Sequence, residues 1–492
     1  MRTVNTPPLF DVTSFGALSH AGKTSTEAFQ KAVDACAESG GGTVFVPSGE
    51  YVIGRVHLRS NVTFHLAAGA VVKPSREKTD YPPIPSLPDS NYRPELLDNA
   101  LNSRYATLYA LNAVNVTVCG QGCIDGDDRA FWTEKNTGTY DEWNMIAQWF
   151  YYSPNAFRPV TLMFERCENV VVRDVELVRA SCYSGWFAGC TRLQFENVTV
   201  KNDHAGPNTD GFHFSSCRNV TIAGCDFTCG DDCIAIDPNY GGIAENYTIS
   251  GCRFDTSVNA FRIYTGLDPG LPREMPRGEV RNVVASTCIV ANASGVFNVT
   301  AENGEIDHLM FSDFCIQMAY RGSAFFLIAL EGGRINRVML SRMMIDTDGV
   351  GTIVSREKGA VRGVVLDGLD YVVSPRTKLY GNGAPAELDG WGWHSFAPYN
   401  LHVRGASDVT IKETKIIWTE GDLAGLCRIP GSSPNWPAIE CRDVNGLTLD
   451  NVVCSAHGEN CPDVLLVNVK SPAVAFCRRA DGERATVEER HG

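Results

Sequence analysis

The sequence predicts an all-β solenoid, a parallel β-helix built from short strands that stack coil upon coil. Strand-like runs open on an Asn-Val-Thr-like signature, and from Asn169 to Asn246 the spacing is about 24 to 27 residues when Leu193-Gln-Phe is counted as the unit between Asn169 and Asn219. Within each repeat, apolar and polar residues alternate, as they do from Val170 to Val175. A repeat this short cannot bury its own apolar face. Stacking successive coils would create one continuous core.

The signature asparagines are expected at the turns between strands. Several of these triplets match the acceptor pattern for N-glycosylation. We favour the turn interpretation, because asparagine tolerates the left-handed conformation and threonine suits the strand that follows. The signature begins at Asn61, Asn115, Asn169, Asn219, Asn246, Asn282 and, more weakly, Asp408.

One amphipathic helix is expected near the N-terminus, across residues 24–39. Thr24 or Ser25 would serve as its N-cap, with Glu27 following, and the glycines from Gly40 onward would end it. Such a helix would cover the open end of the solenoid core. Its apolar positions fall at helical spacing, at Phe29, Ala32, Val33 and Cys36.

We predict a single β-helix domain over residues 1–492. Residues 1–60 would form the cap and first strands, and residues 61–470 the coils. Long irregular loops on a solenoid usually build its binding face, where the tryptophans of the loops could stack on sugars or simply pack. The last residues, rich in Arg and Glu, are expected to form a solvated tail. The loop insertions are predicted at 76–112, 129–158 and 376–400, and the tail at 480–492.

The composition restricts the classes of partner. A net charge of −14 argues against nucleic acid and against an anionic membrane surface, although a local basic cleft could still hold an acidic glycan. No apolar run is long enough to span a membrane, and residues 1–11 lack the apolar core of a secretion signal. We therefore expect a cytoplasmic protein, or a secreted one whose signal was removed.

Most of the 18 cysteines are expected to be free and buried, with disulfides as the alternative.

Three aspartates are the strongest candidates for catalysis. Asp210 precedes Asp231 by 21 residues, which is close to one coil, and Asp232 follows directly. Stacked strands lie about 4.8 Å apart, so the three carboxyl groups would share one outer patch. Carboxylates this close raise each other's pKa, and glycoside hydrolysis needs one protonated and one ionised carboxyl group. The alternative is that these aspartates only cap turns or bind Ca²⁺.

The same residues carry a resemblance to a known family. The sequence over roughly residues 8–350 resembles family 28 of the glycoside hydrolases, the polygalacturonases and rhamnogalacturonases. The motifs that carry it are Asp11-Val-Thr-Ser-Phe-Gly-Ala, Gly41-Gly-Thr-Val-Phe-Val-Pro, Gly122-Cys-Ile-Asp-Gly, Arg158-Pro, Asn208-Thr-Asp and Gly230-Asp-Asp-Cys.

The resemblance implies both a handedness and a mechanism. The solenoid would be right-handed, and a glycosidic bond would be cleaved in one displacement with inversion. Asp231 looks like the general acid, and Asp210 with Asp232 looks like the pair that activates water. Neither a metal nor another cofactor is implied, and the partner would be an oligosaccharide or polysaccharide.

The motif residues that would contact the sugar depart from the family pattern. Asn208 is retained, but Asn259 stands where a histidine is usual, and His213 where polygalacturonases usually carry another aspartate. Arg262-Ile-Tyr264 resembles the Arg-Ile-Lys that grips a uronate, but it arrives one coil early and lacks the lysine. These five residues are the predicted substrate-binding set. We expect a substrate other than plain homogalacturonan.

Two other functions remain open from the sequence. A β-helix lyase or epimerase would need Ca²⁺ with an Arg or Lys base, or a Tyr/His pair. A non-catalytic glycan-binding protein or adhesin could keep the fold without the chemistry. Loss of activity with a chelator would favour the former, and the absence of cleavage across a broad glycan panel would favour the latter.

Overall fold

The computed structural model describes most of the chain as two compact units. Among the described residues, the first unit extends to Cys252 and the second begins at Arg253. Our prediction of one continuous domain stays a prediction. The described residues are 8–20, 23–82, 84, 105–134, 151–152, 157–240, 242–266, 278–317, 322–374, 400–419, 435–458 and 460–491.

The predicted helix is present and runs from Thr26 to Glu38. All four residues expected on its apolar face are buried. Ser25 occupies the N-cap position, but its side chain does not cap the helix; its hydroxyl accepts a hydrogen bond from the Leu18 amide at 3.1 Å. The hydroxyl of Thr26 instead accepts from the Gly54 amide at 2.7 Å, which ties the helix to the first coils.

The first unit contains a parallel sheet that we call the site sheet. Each strand pairs in parallel with the strand one coil away, as expected for a solenoid. Its strands are Val56–Leu58, Ala106–Leu111, Val160–Glu165, Gly185–Ala188, Phe212–Ser215 and Ile234–Asp237.

Aromatic side chains fill the interior behind the site sheet. The Phe187 ring lies 5.7 Å from that of Phe164, 4.9 Å from Phe195 and 5.4 Å from Phe214, and all four side chains are fully buried. The predicted alternation holds on the next coil, where Phe212 and Phe214 pair with Ile234 and Ile236. This packing determines which residues of each strand face outward.

The remaining strands of the first unit form the other walls of its coils. Their period-two burial pattern reflects one face on the core and one in solvent. They are Leu9–Asp11, Gly42–Val46, Gly49–Ile53, Val62–Leu66, Ala70–Pro74, Val114–Gly120, Cys123–Asp125, Glu168–Arg173, Glu176–Val178, Thr191–Glu196, Thr199–Lys201, Arg218–Ala223, Asp226–Cys229 and Ile243–Ser250, with an antiparallel pair Thr133–Glu134 and Tyr151–Tyr152. Short 3₁₀ turns lie at Val12–Phe15, Lys78–Asp80 and Asp128–Ala130.

The signature asparagines stand at turns in the left-handed conformation, as predicted. Asn61, Asn115 and Asn169 have φ angles near +60°. They also form a ladder that the sequence did not predict: the amide of Asn115 donates to Asn61 at 2.8 Å, and that of Asn169 donates to Asn115 at 2.7 Å. Each side chain thus bonds the next coil as well as shaping its own turn.

The second unit repeats the same coil. Strands Asn259–Thr265 and Gly295–Ala301 pair in parallel, and each later strand pairs with its predecessor. One series is Asn259–Thr265, Gly295–Ala301, Ser323–Ala329, Gly349–Ser355, Leu401–Arg404, Ile439–Arg442, Val464–Val467 and Val487–Arg490. The other walls are Arg253–Thr256, Gly278–Asn292, Gly304–Gln317, Arg334–Thr347, Val361–Val373, Ser407–Lys412, Lys415–Trp418, Asn445–Asp450, Val453–Cys454 and Lys470–Ala475.

The predicted tail contains a strand. Val487–Arg490 pairs in parallel with Val464–Val467, although most residues of the tail are exposed, as expected. Much of the three predicted insertions lies outside the described residues, namely 83, 85–104, 135–150, 153–156 and 376–399. Trp132, at the edge of the second insertion, packs rather than projecting, and its indole nitrogen donates to the Ser181 carbonyl at 2.9 Å.

Most cysteines among the described residues are small, buried, free side chains, as the sequence suggested. Cys167, Cys190, Cys217 and Cys225 are free, buried thiols. The pKa of Cys190 is raised by burial, which keeps the thiol protonated. Among the residues that the structure describes, no helix has the length and apolar character needed to cross a membrane.

The parallel strand pairing and the single helix described above confirm the predicted fold class, an all-β, right-handed parallel β-helix with an N-terminal helix.

Candidate active site

Three aspartates stand just before neighbouring strands of the site sheet. Asp210 precedes the strand Phe212–Ser215, and Asp231 and Asp232 precede Ile234–Asp237. The Gly211 amide donates to the Asp232 carbonyl at 2.9 Å, so the two segments are adjacent coils in the predicted stack. The sequence argument that Asp210 lies one coil from the other two is therefore confirmed.

Close backbone packing holds these segments together. The Gly230 amide donates to the Thr209 hydroxyl at 3.1 Å, which links the two turns that precede the aspartates. A Cβ atom on Gly230 would lie 2.5 Å from the carbonyl oxygens of Asp203 and Gly206 and from the Thr209 hydroxyl. Only glycine fits this position, since no side-chain carbon tolerates such contacts with backbone.

The electrostatics separate Asp231 from an ordinary surface carboxyl group. Burial, together with the negative charges of Asp210 and Asp232, raises its pKa well above the usual range. Burial also raises the pKa of Asp210, but the hydrogen bond and charge of His213 oppose that shift. Asp231 is thus the carboxyl group best suited to carry a proton at neutral pH.

His213 bridges two carboxylates. Its Nδ1 lies 3.2 Å from Oδ2 of Asp210, and its Nε2 lies 2.8 Å from Oδ2 of Asp237. Burial opposes the charge on the imidazole, but hydrogen bonds to Asp210 and Asp237 outweigh burial and raise the pKa of His213 to about 10. The side chain therefore carries a positive charge at neutral pH.

Asp237 and Arg158 are candidate site residues that the sequence argument did not assign. Arg158 is 2% exposed; its guanidinium donates to the Pro207 carbonyl at 2.6 Å and to Oδ1 of Asn208 at 3.1 Å. The amide of Asn208 in turn donates to Oδ2 of Asp231 at 3.4 Å. Asn208, predicted to bind substrate, thus connects a buried cation to the candidate acid.

The other three predicted substrate-binding residues belong to the second unit, where they form their own network. The Arg262 guanidinium donates to Oδ1 of Asn298 at 2.7 Å and to the Thr300 hydroxyl at 3.0 Å. It also lies 4.8 Å from the centre of the Tyr264 ring, and the amide of Asn298 donates to Asn259 at 3.0 Å. Arg262 is only 5% exposed, so protein groups engage a large part of its binding capacity. Its role in substrate binding stays a prediction.

The carboxyl side chains of the site offer acid–base chemistry. Within the described ranges, no group of three or more His, Cys, Asp or Glu residues is arranged to hold a metal ion. Asp231 is biased towards the protonated form, and Asp210 lies 3.2 Å from His213, whose imidazole is cationic at neutral pH because its pKa is raised to about 10. That pair of states is what a general acid and a general base require.

Comparisons with known proteins relate the chain to one family and agree with the fold. The model of glycosyl hydrolases family 28 matches residues 36–256. An exopolygalacturonase of Platanus acerifolia is 25% identical over 291 residues, covering 52% of this chain and 67% of the relative. The alignments span 43–67% of the lengths of eight curated relatives.

Two solved structures share the fold. The family 28 exopolygalacturonase of Yersinia enterocolitica superposes with a TM-score of 0.60 at 15% identity, covering 97% of this chain and 79% of the other. A hyperthermoactive exopolygalacturonase from Thermotoga maritima gives a TM-score of 0.59 at 18% identity, covering 75% and 89%.

Proposed function

Because the chain is a divergent member of glycosyl hydrolase family 28, we propose that it is a glycosidase that cleaves a pectic or related glycan with inversion of the anomeric centre. The observation that carries the proposal is the raised pKa of Asp231 beside Asp210 and Asp232 on adjacent coils. The names of the relatives, several of which are exopolygalacturonases, support a pectic substrate and exo-action.

The proposed reaction uses the two charge states in one step. Asp231 gives its proton to the leaving glycosidic oxygen as the bond from that oxygen to the anomeric carbon breaks. Asp210 and Asp232 take a proton from water as its oxygen bonds the anomeric carbon from the opposite face. Asp231 then regains a proton from solvent, and the Asp210 and Asp232 carboxylates release to solvent the proton that they took from water. No metal or cofactor takes part in this proposal.

The substrate is proposed to differ from plain homogalacturonan. Tyr264 stands where a lysine would help grip a uronate, and the Arg262 guanidinium already bonds Asn298 and Thr300. Both features weaken a charge clamp on a galacturonate ring. A branched or partly neutral pectic oligosaccharide would depend less on such a clamp.

A panel of homogalacturonan, xylogalacturonan and rhamnogalacturonan oligosaccharides tests the proposal, with product anomers followed by NMR. We expect cleavage of at least one with inversion. Retention of configuration would refute the mechanism. Asp231→Asn should lower kcat roughly 10²- to 10⁴-fold, the usual contribution of a general acid. Asp226→Asn is the matched control, since Asp226 lies on a neighbouring wall of the same coil.

A non-catalytic glycan-binding function is the alternative that the fold permits. This binding function is supported if no glycan in the panel is cleaved but one of them binds, as measured by calorimetry. Unchanged hydrolysis in Asp231→Asn would instead remove the catalytic assignment. A lyase would produce an unsaturated sugar absorbing in the ultraviolet, and a chelator would abolish its Ca²⁺-dependent activity.

A further inference from the structure

The outward face of the site sheet carries a buried polar chain that continues beyond the three candidate catalytic aspartates. It begins at Asp210, crosses His213 and reaches Asp237 on the next coil. The strand register places Ser215 beside Asp237 and His213 beside Ala235, so the imidazole reaches Asp237 diagonally across the ladder. Nothing in the acid–base scheme above uses Asp237.

Asp237 is held in place by several donors. Its Oδ2 accepts from Nε2 of His213 at 2.8 Å and from the Ser215 hydroxyl at 3.0 Å. Its Oδ1 accepts from the backbone N–H of Asn239 at 2.7 Å. The Ser215 hydroxyl in turn accepts from the Trp186 indole at 3.1 Å. Asp237 is 1% exposed, and burying a carboxyl group to this extent is costly unless such donors satisfy its oxygens.

His213 is fixed on its other sides by aromatic rings. The Tyr183 ring lies 5.1 Å from the imidazole and the Trp186 ring 6.3 Å. Among the described residues, the charged groups in contact with His213 include Asp210 and Asp237, and the charge of His213 also opposes the rise in the pKa of Asp231. The imidazole therefore has a fixed orientation, with one N–H directed at each of two carboxylates.

We propose that Asp237 and His213 form a positioning pair for the candidate base, in which Asp237 orients the imidazolium and the imidazolium holds Asp210 ionised and correctly turned. The inference rests on the proposed glycosidase function and deepens it. A cation that donates to Oδ2 of Asp210 favours the carboxylate form, which must accept the proton from water. His213 would act through Asp210 without touching the sugar. Burial by itself raises the pKa of Asp210, and the hydrogen bond and the charge of His213 oppose that effect.

The first test follows the imidazole itself and needs no substrate. With ¹⁵N-labelled histidine, one imidazolium signal should persist above pH 8 in the wild type, and it should be absent in His213→Asn. In Asp237→Asn the same signal should titrate at lower pH, because one anionic partner is gone. The proposal would be overturned if the His213 signal titrates near pH 6.5, or if its titration pH is unchanged in Asp237→Asn.

The second test measures hydrolysis of the pectic oligosaccharide that is cleaved fastest in the panel. His213→Asn keeps a neutral donor but removes the charge. We expect kcat to fall roughly 10- to 100-fold with KM nearly unchanged, by analogy with the loss seen when a residue that orients a metal ligand is removed. The acidic limb of the pH–rate profile should move up by about one pH unit, because Asp210 loses a neighbouring cation. An unmoved limb would refute the pairing.

The third test asks whether the two residues act as a unit. In that case the double variant His213→Asn/Asp237→Asn should lose about as much kcat as either single variant, whereas independent residues give multiplied losses. His308→Asn is the matched control: His308 also contacts an aspartate, Asp307, at 3.2 Å, but its side chain is 51% exposed. It should keep wild-type kcat and pH profile.

The outcomes separate this inference from the proposed function. If Asp231→Asn abolishes hydrolysis while the His213 variant keeps its rate and its acidic limb, the glycosidase proposal stands and the positioning pair is wrong. If Asp231→Asn hydrolyses normally, the proposed catalytic set fails whatever His213 does. Thermal unfolding of each variant shows whether a rate loss reflects a loss of folded protein; Asp237→Asn, similar in shape, serves if His213→Asn does not fold.

Discussion

Adding a single methyl group at Gly230 should lower kcat by more than its loss of stability explains. In Gly230→Ala the new Cβ would lie 2.5 Å from the carbonyl oxygens of Asp203 and Gly206 and from the Thr209 hydroxyl. Comfortable contacts begin near 3.5 Å, so the turn must move by about 1 Å. Both carbonyl oxygens belong to the backbone, and a flexible side chain cannot absorb the shift. The residues displaced with the turn are Asp231 and Asp232.

The expected magnitudes follow from that displacement. Overpacking of this kind destabilises a protein by about 1–3 kcal/mol. A misplacement of about 1 Å in a catalytic group can lower a rate on the order of 10²-fold. Gly224→Ala provides the matched control, because Gly224 has φ +62° but no other atom within 4 Å of the added carbon. Its left-handed strain should destabilise the protein by about 1–2 kcal/mol and leave kcat unchanged.

The assay pairs urea unfolding with initial rates on the best glycan from the panel. We expect the two variants to lose similar stability, and only Gly230→Ala to lose kcat. The reasoning is refuted if Gly230→Ala keeps a wild-type rate, since the turn would then have absorbed the methyl group without moving the carboxyl groups. Equal rate losses in both variants would also refute it, because general destabilisation would explain both.

Three further predictions concern the core, the turns and pH. Phe187→Ala, in the centre of the buried aromatic stack, should lower the free energy of unfolding by about 3–5 kcal/mol in urea titrations with an unchanged slope. Asn115→Ala removes two ladder hydrogen bonds at an exposed turn with φ +60° and should cost about 1–2 kcal/mol, whereas Asn115→Gly should cost less because glycine suits that angle. Since the folded-state pKa of His213 is raised from 6.5 to about 10, its contribution to stability is fully present below pH 6.5 and is lost as pH rises through about 10. The urea midpoint should therefore decline over that window, and it should decline less in His213→Asn.

Part of the site could be read from residue spacing because the fold is repetitive. The separation of 21 residues between Asp210 and Asp231 is close to the length of one coil, and it therefore predicts that they lie on neighbouring coils. The same reasoning could have found Asp237. It stands 22 residues after Ser215, and Asp232 stands 22 residues after Asp210, so both pairs share one register. The signal was present in Ile-Ala-Ile-Asp237, but an aspartate that ends an apolar strand ordinarily suggests a turn.

Local pattern alone determined the β-helix, the N-terminal helix and the left-handed asparagines, since each depends on residues close in sequence. The tertiary structure decided the partners of side chains on different coils. It showed that Asn115 bonds Asn61 and Asn169, that Ser25 does not cap its helix, and that His213 lies between Asp210 and Asp237. The physical reason is that a contact across coils depends on strand register and rotamer, and on the burial that gives a charge its pKa. A sequence determines these properties only through the assembled core.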